Sequence, residues 1–195
     1  MLKKVTAIIL SALILLSFAG CDIDTEGPAG GPQTNGAYKS GTYKVGTDID
    51  AGEYFVTCTN SISCYVEVSS DSSGSFESIV TNDNVATFSF ITVADGQYLK
   101  ISGGEFVKAA DAKVPGADSN GVYGAGTYRV GTDIPAGEYK VTCTNEINCY
   151  VEVASDSTGT FESIVTNANT TSTHYITVTV GQYLEVSGGQ FAPAE

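Results

Sequence analysis

Between residues 42 and 106, apolar and polar residues alternate with period two in short runs, each closed by a cluster of Gly, Asp, Asn or Ser. This pattern predicts strands with one buried face, and no stretch carries the spacing of an amphipathic helix. The runs cover residues 42–45, 53–58, 64–69, 75–80, 86–93 and 97–101, with Phe106 in a short closing strand. Six or seven short strands in so short a segment predict an all-β fold. A small β-sandwich with jelly-roll-like connections fits best, and a small open barrel is the other architecture available.

The segment is written twice. Residues 35–109 align with 120–194 at a constant offset of 85 without a gap, and 50 of the 75 positions are identical. TYKVGTDIDAGEYFVTCTN in the first copy becomes TYRVGTDIPAGEYKVTCTN in the second. Two copies are too few for a solenoid, and each has its own alternation, so each is expected to fold as a small domain. The chain then divides into an export signal (1–20), a tether (21–34), a first β-module (35–109), a linker (110–119) and a second β-module (120–195). The tether, DIDTEGPAGGPQT after Cys21, is rich in Gly, Pro and acids and is expected to be flexible. The linker, ADAKVPGADS, carries a Pro-Gly turn signal and permits relative motion unless a specific interface forms.

Five cysteines stand in the chain: Cys21, then Cys58 and Cys64, then Cys143 and Cys149. An odd count in an exported chain requires a separate fate for one of them. The repeated close spacing favours Cys58–Cys64 and Cys143–Cys149 as disulfides. Zinc would lack both a Cys-x-x-Cys spacing and histidine support. Facing cysteines would make residues 53–58 and 64–69 a hairpin, pairing Thr57 with Tyr65, Val56 with Val66 and Phe55 with Glu67. Tyr54, Val56 and Cys58 would then share the core face with Cys64, Val66 and Val68. In the second copy the same register sets Lys140 opposite Glu152, an acceptable outward pair.

The amino terminus has a different character. Lys3 and Lys4 precede an apolar run from Val5 to Ala19, broken only by Thr6, Ser11 and Ser17. That is short of the ~20 residues needed to cross a bilayer and suits an export signal. The run ends Ser17-Phe18-Ala19-Gly20-Cys21, which resembles a bacterial lipobox, with Phe18 where Leu is usual. The resemblance implies a diacylglyceryl thioether on Cys21 and attachment to a membrane from the extracytoplasmic side.

Charge narrows the partners. The net charge is -13, and after the first 20 residues 22 acids stand against 7 bases. Binding to a nucleic-acid backbone, or to anionic lipid through a basic face, is excluded by that balance. Glu53, Glu67 and Glu77 recur as Glu138, Glu152 and Glu162, but they alternate with apolar residues as solvated strand faces do. They do not form the spaced pair of a glycosidase. His174, the only histidine, has Ser89 as its counterpart and is expected on an exposed strand face. Asp71 and Asp156 each open an Asp-Ser-[Ser/Thr]-Gly stretch that reads as a hairpin turn, with calcium as the less fitting alternative. No catalytic group, metal or cofactor is implied.

The differences between copies are the more informative feature. Phe55, Val85, Ala86 and Phe88 become Lys140, Thr170, Thr171 and Thr173, and Phe90 becomes Tyr175. If Ile91 and Val93 point inward, Phe88 and Phe90 point outward, beside Phe55. Such a cluster would mark an interface or a sugar-stacking platform, unless it packs against the second copy or is buried on both faces. With Tyr175 and the shared outward residues Tyr65 and Glu67, and Tyr150 and Glu152, it makes the candidate ligand or partner patch.

The run G-T-Y-[KR]-V-G-T-D-I-x-A-G-E-Y, followed by I-T-V-x-x-G-Q-Y-L, resembles a module of bacterial surface proteins and lipoproteins, and the likeness covers both repeats. Asp50 stands where the module, like Pro135 here, usually has proline, a change expected to alter a turn. The resemblance implies an extracytoplasmic β-module for binding or display. The expected function is a lipid-anchored surface protein whose tandem modules bind a glycan or a surface protein. The alternative is an accessory subunit docking a membrane protein through the apolar patch of the first module.

Overall fold

The computed structural model describes residues 36–144 and 148–194; the signal, Cys21 and the tether lie outside them. The first module contains β1 (Gly41–Lys44), β2 (Gly52–Cys58), β3 (Cys64–Ser69), β4 (Ile79–Val85), β5 (Phe88–Val93), β6 (Tyr98–Ser102) and β7 (Gly104–Lys108). The second repeats them as β8 (Gly126–Arg129), β9 (Gly137–Cys143), β10 (Cys149–Ala154), β11 (Ile164–Thr170), β12 (Thr173–Val178), β13 (Tyr183–Ser187) and β14 (Gly189–Pro193). Each module is a sandwich of a four-stranded sheet, ordered β1-β6-β3-β4 or β8-β13-β10-β11, on a three-stranded sheet, ordered β5-β2-β7 or β12-β9-β14. All ladder pairings between these strands are antiparallel.

Period-two alternation builds the core. In the first module Tyr54, Val56, Ile91, Val93 and Phe106 from the three-stranded sheet meet Tyr43, Val66, Val68, Leu99 and Ile101 from the other. At its centre Tyr38 stacks on Phe106, with Tyr43 and Tyr54 meeting that ring edge-on. Tyr123, Tyr128, Tyr139 and Phe191 repeat the arrangement. A buried phenol needs a hydrogen-bond partner. Tyr43, Tyr54, Tyr128 and Tyr139 each donate to the carbonyl four residues earlier, those of Lys39, Asp50, Gly124 and Pro135. Burial raises the Tyr54 and Tyr128 phenols to about 12, so these donors keep their protons at any physiological pH.

Both disulfides join the cysteines that the spacing selects, with Cα separations of 5.2 and 5.5 Å. The hairpin inferred from them does not exist. β2 lies between β5 and β7, and β3 lies between β6 and β4, so each disulfide ties one sheet to the other. Thr57, Val56 and Phe55 pair with Phe88, Ser89 and Phe90, not with β3, and Lys140 pairs with Tyr175 and Ala192, not Glu152. The inward positions of two opposed sheets obey the same parity as those of a hairpin. Alternation therefore placed Tyr54, Val56, Cys64, Val66 and Val68 correctly in the core while leaving the partner strand undetermined.

Two local readings also change. Of residues 75–80 only Ile79 and Val80 are strand: Phe76–Ser78 is a single 3-10 turn, and β4 runs from Ile79 through the polar Thr-Asn-Asp-Asn run. β4 is a sheet edge whose side chains largely meet solvent, so it needs no apolar alternation. The turn at Asp50 is not altered by the loss of proline. Gly46 N–H bonds Ile49 O, and Gly131 N–H bonds Ile134 O, both at 2.7 Å. Asp50 instead gains an ion pair with Lys108 at 2.5 Å.

Candidate functional site

The outer face of the β5-β2-β7 sheet carries Phe55, Phe88, Phe90 and Val107, since these residues alternate with the core positions. The expectation of an exposed apolar patch is overturned: Phe55, Phe88 and Phe90 are only 6%, 6% and 5% exposed. Ala109, Ala112 and Val114 pack into the cluster containing these rings, which continues into the core of the second module. Phe88 meets Tyr128 edge-on at 5.1 Å, and Phe90 meets Tyr183 at 6.1 Å. Removal of this much aromatic surface from water makes the seam favourable. Among the described residues nothing covers the same face of the second module, and there Tyr175 is 55% exposed while Lys140 and Thr173 also face solvent. The copies thus diverge where one docks on the other, and a foreign partner has no access to the phenylalanine cluster.

Polar contacts fix the register of the seam. Thr92 N–H, on the free edge of β5, donates to Ser157 O at 2.8 Å, and Thr81 Oγ1 donates to Gly159 O at 2.6 Å. Glu53 accepts from Ser157 Oγ and from the Tyr183 phenol. Arg129 is held by Asp133 through Nε at 2.9 Å and through Nη2 at 3.0 Å. It stacks on Phe90 and donates to the Ala109 carbonyl. Lys44, its counterpart, instead lies over Tyr98 of its own module.

Beside this seam lies a cleft of about 330 Å³. The first module contributes Asn82, Asp83 and Asn84 of β4; the second contributes Tyr150 and Glu152 of β10 and Glu185 of β13. Tyr150 donates to Glu152, as Tyr65 donates to Glu67 at 2.6 Å in the first copy. Tyr65 and Glu67 occupy the open outer face of their sheet, with Lys100 over the Tyr65 ring. The two pairs of the candidate patch therefore have different surroundings: one faces solvent, the other the cleft.

Glu152 and Glu185 sit directly opposite each other on adjacent strands, where the first copy has Glu67 opposite Lys100. Burial, then Asp83, then Glu152 push the Glu185 carboxyl up to about 8. Burial also raises Asp83, opposed by the Asn84 backbone N–H. No Lys, Arg, His or Cys among the described residues lines the cleft. Among the described residues no group of three or more His, Cys, Asp or Glu is arranged to hold a metal ion.

The remaining candidates have local roles. Asp71 and Asp156 accept the backbone N–H two residues on, of Ser73 and Thr158, both at 2.8 Å. These bonds define the turns, and the Ser73 bonds lower the Asp71 carboxyl. His174 is half-buried rather than exposed and pairs with Val141 on the core-facing side of β12.

One feature escaped the sequence reading. Phe76 and Phe161 open the 3-10 turns of the two modules and are 83% and 84% exposed, with exposed Val80 and Val165 nearby in sequence. Alternation hid them by reading residues 75–80 as a strand. The available signal was Ser78, which breaks the apolar alternation in F-E-S-I-V. Ser78 is buried with its hydroxyl donating to Ser75 O, and the chain turns there.

The chain matches none of the curated proteins. The model of the Rv1352-like extracellular domain matches residues 33–99 and, a second time, 120–184. Both matches fall on the repeated β-modules and together span more than half of the sequence. The chain accordingly belongs to the Rv1352-like extracellular domain family, carries that domain twice, and works outside the cytoplasm.

Proposed function

We propose that the chain is a lipid-anchored, non-catalytic surface protein of a bacterium, attached through a diacylglyceryl group on Cys21, whose two modules bind a glycan through Phe76 and Phe161. The anchor is supported by the lipobox-like sequence before Cys21 and by the cysteine count. Four of the five cysteines form disulfides, which leaves Cys21 for the thioether. The extracytoplasmic family supports the same location.

The observation that carries the binding reading is the recurrence of an almost fully exposed phenylalanine at one position of both modules. A solvent-facing aromatic ring is unfavourable for stability and suits the apolar face of a sugar ring. Glu77 and Glu162 follow the rings and supply hydrogen-bond acceptors. The strongly acidic chain selects for neutral or amino-bearing sugars over anionic polymers. Two tips on one chain raise avidity when both engage one polymer.

The test is retention of the Cys21→Ala chain on purified cell wall, compared with Phe76→Ala, Phe161→Ala and the double variant. Each single substitution should weaken retention by about tenfold, and the double variant by far more than either. Wild-type retention by all three variants, or capture only from a membrane-protein extract, would discard the glycan reading. Release of the Cys21→Ala chain into the medium tests the anchor separately.

A further inference from the structure

From the placement of Asp83, Glu152 and Glu185 across the seam, we infer that the contact between the modules is a pH-operated latch, closed when Glu185 holds its proton and loosened as it loses it.

Three observations carry this. First, the cluster straddles the joint: Asp83 projects from the first module's edge strand, and Glu152 and Glu185 from the second module's sheet, into one cleft. Asp83 and Glu185 also line a smaller recess with Phe88, Gly126 and Thr127, so the acids lie beside the rings that make the seam. Second, Glu152 and Glu185 are cross-strand neighbours of like charge, an unfavourable pairing. The first copy, on its undocked face, has the favourable Glu67–Lys100 pair at that position. The change from lysine to glutamate therefore coincides with docking. Third, among the described residues no Lys, Arg or His lines the cleft to neutralise the cluster. Asp156, Tyr150 and Tyr183 line the same cleft, and β8, which pairs with β13, presents Thr127 opposite Glu185. Arg129, a cation of the seam, is committed to Asp133, Phe90 and the Ala109 carbonyl, with Glu53 at 4.0 Å.

The consequence has a definite sign. Glu185 holds its proton up to about pH 8 when docked, well above an unconstrained glutamate. Closure thus binds protons, and raising the pH from 5 to 8 opens the seam. Moving the modules apart separates Asp83 from Glu152 and Glu185 and opens the cleft around Glu185 to water.

Thr92 supplies the readout, because its N–H is bonded to Ser157 O across the seam. Its hydrogen-exchange protection, corrected for the intrinsic pH dependence of exchange, should fall at least tenfold between pH 5 and pH 8 in the Cys21→Ala chain. Amides in the interior of β2 should keep theirs. Glu185→Gln should reduce the change at Thr92 to less than twofold, and Glu185→Lys, which restores the pairing of the first copy, should abolish it. Constant Thr92 protection in the wild type would overturn the inference, as would an unreduced pH response in Glu185→Gln. A parallel fall at β2 would overturn it as well, by showing loss of the whole fold. None of these outcomes depends on glycan binding.

Discussion

The guanidinium of Arg129 lies over the ring of Phe90, with its carbon 4.4 Å from the ring centroid, and so joins the two modules face to face. Neither residue has an equivalent partner in the other copy, where the positions are Lys44 and Tyr175. Arg129 is little exposed, and two hydrogen bonds to Asp133 orient its plane before docking. A double-mutant cycle with Arg129→Ala and Phe90→Thr should give a coupling of about 1 kcal/mol. Urea unfolding monitored at the seam checks it, and purely additive effects would deny the contact energetic weight.

Gly126 shows how closely the modules approach. A Cβ there would fall 2.4 Å from Phe88 Cζ, and the backbone φ of +144° already disfavours a side chain. Gly126→Ala should destabilise the docked state by roughly 1–3 kcal/mol. Adding Phe88→Thr should recover the steric part and leave the backbone cost. Thermal unfolding of the single and double variants separates the two contributions.

Each disulfide closes a loop with a sequence separation of 6 and ties one sheet to the other. Loop-closure entropy puts its contribution at about 2 kcal/mol, and the paired substitution Cys58→Ser with Cys64→Ser should lower the first module's stability by that amount. Hydrogen exchange across β9 and β10 should stay unchanged, since the second module keeps its own disulfide.

The stability of the second module should carry the signature of the raised Glu185 carboxyl. The folded chain binds protons at Glu185 more tightly than the unfolded chain, whose value is the ordinary 4.5. Stability is therefore greatest below the unfolded value, falls as pH rises towards about 8, and is level above it. Urea midpoints at pH 5, 7 and 9 should follow this trend in the wild type and flatten in Glu185→Gln.

The seam is heterologous: an apolar sheet face of one module meets a different face of the next. The second module does not extend the series, because Lys140, Thr173 and Tyr175 replace the three phenylalanines. Restoring them with Lys140→Phe, Thr173→Phe and Tyr175→Phe offers a second docking face to the free first module of another chain. Concentration-dependent head-to-tail association in sedimentation velocity is the expected outcome, since such contacts do not close on themselves.

Alternation along the chain determined the all-β class, the core positions and the outward direction of Phe55, Phe88 and Phe90, because strand parity is a local property. The 85-residue offset determined that there are two modules, and the cysteine spacing determined which sulfurs join. Tertiary structure alone decided that β2 and β3 belong to opposite sheets, because parity is the same for a hairpin partner and for a facing sheet. It alone decided that the outward phenylalanines are buried: exposure depends on what a distant segment places over a face, here Tyr128, Arg129 and Tyr183. The cleft that unites Asp83 with Glu152 and Glu185 has the same origin, since residues from three strands and two modules converge there only after docking.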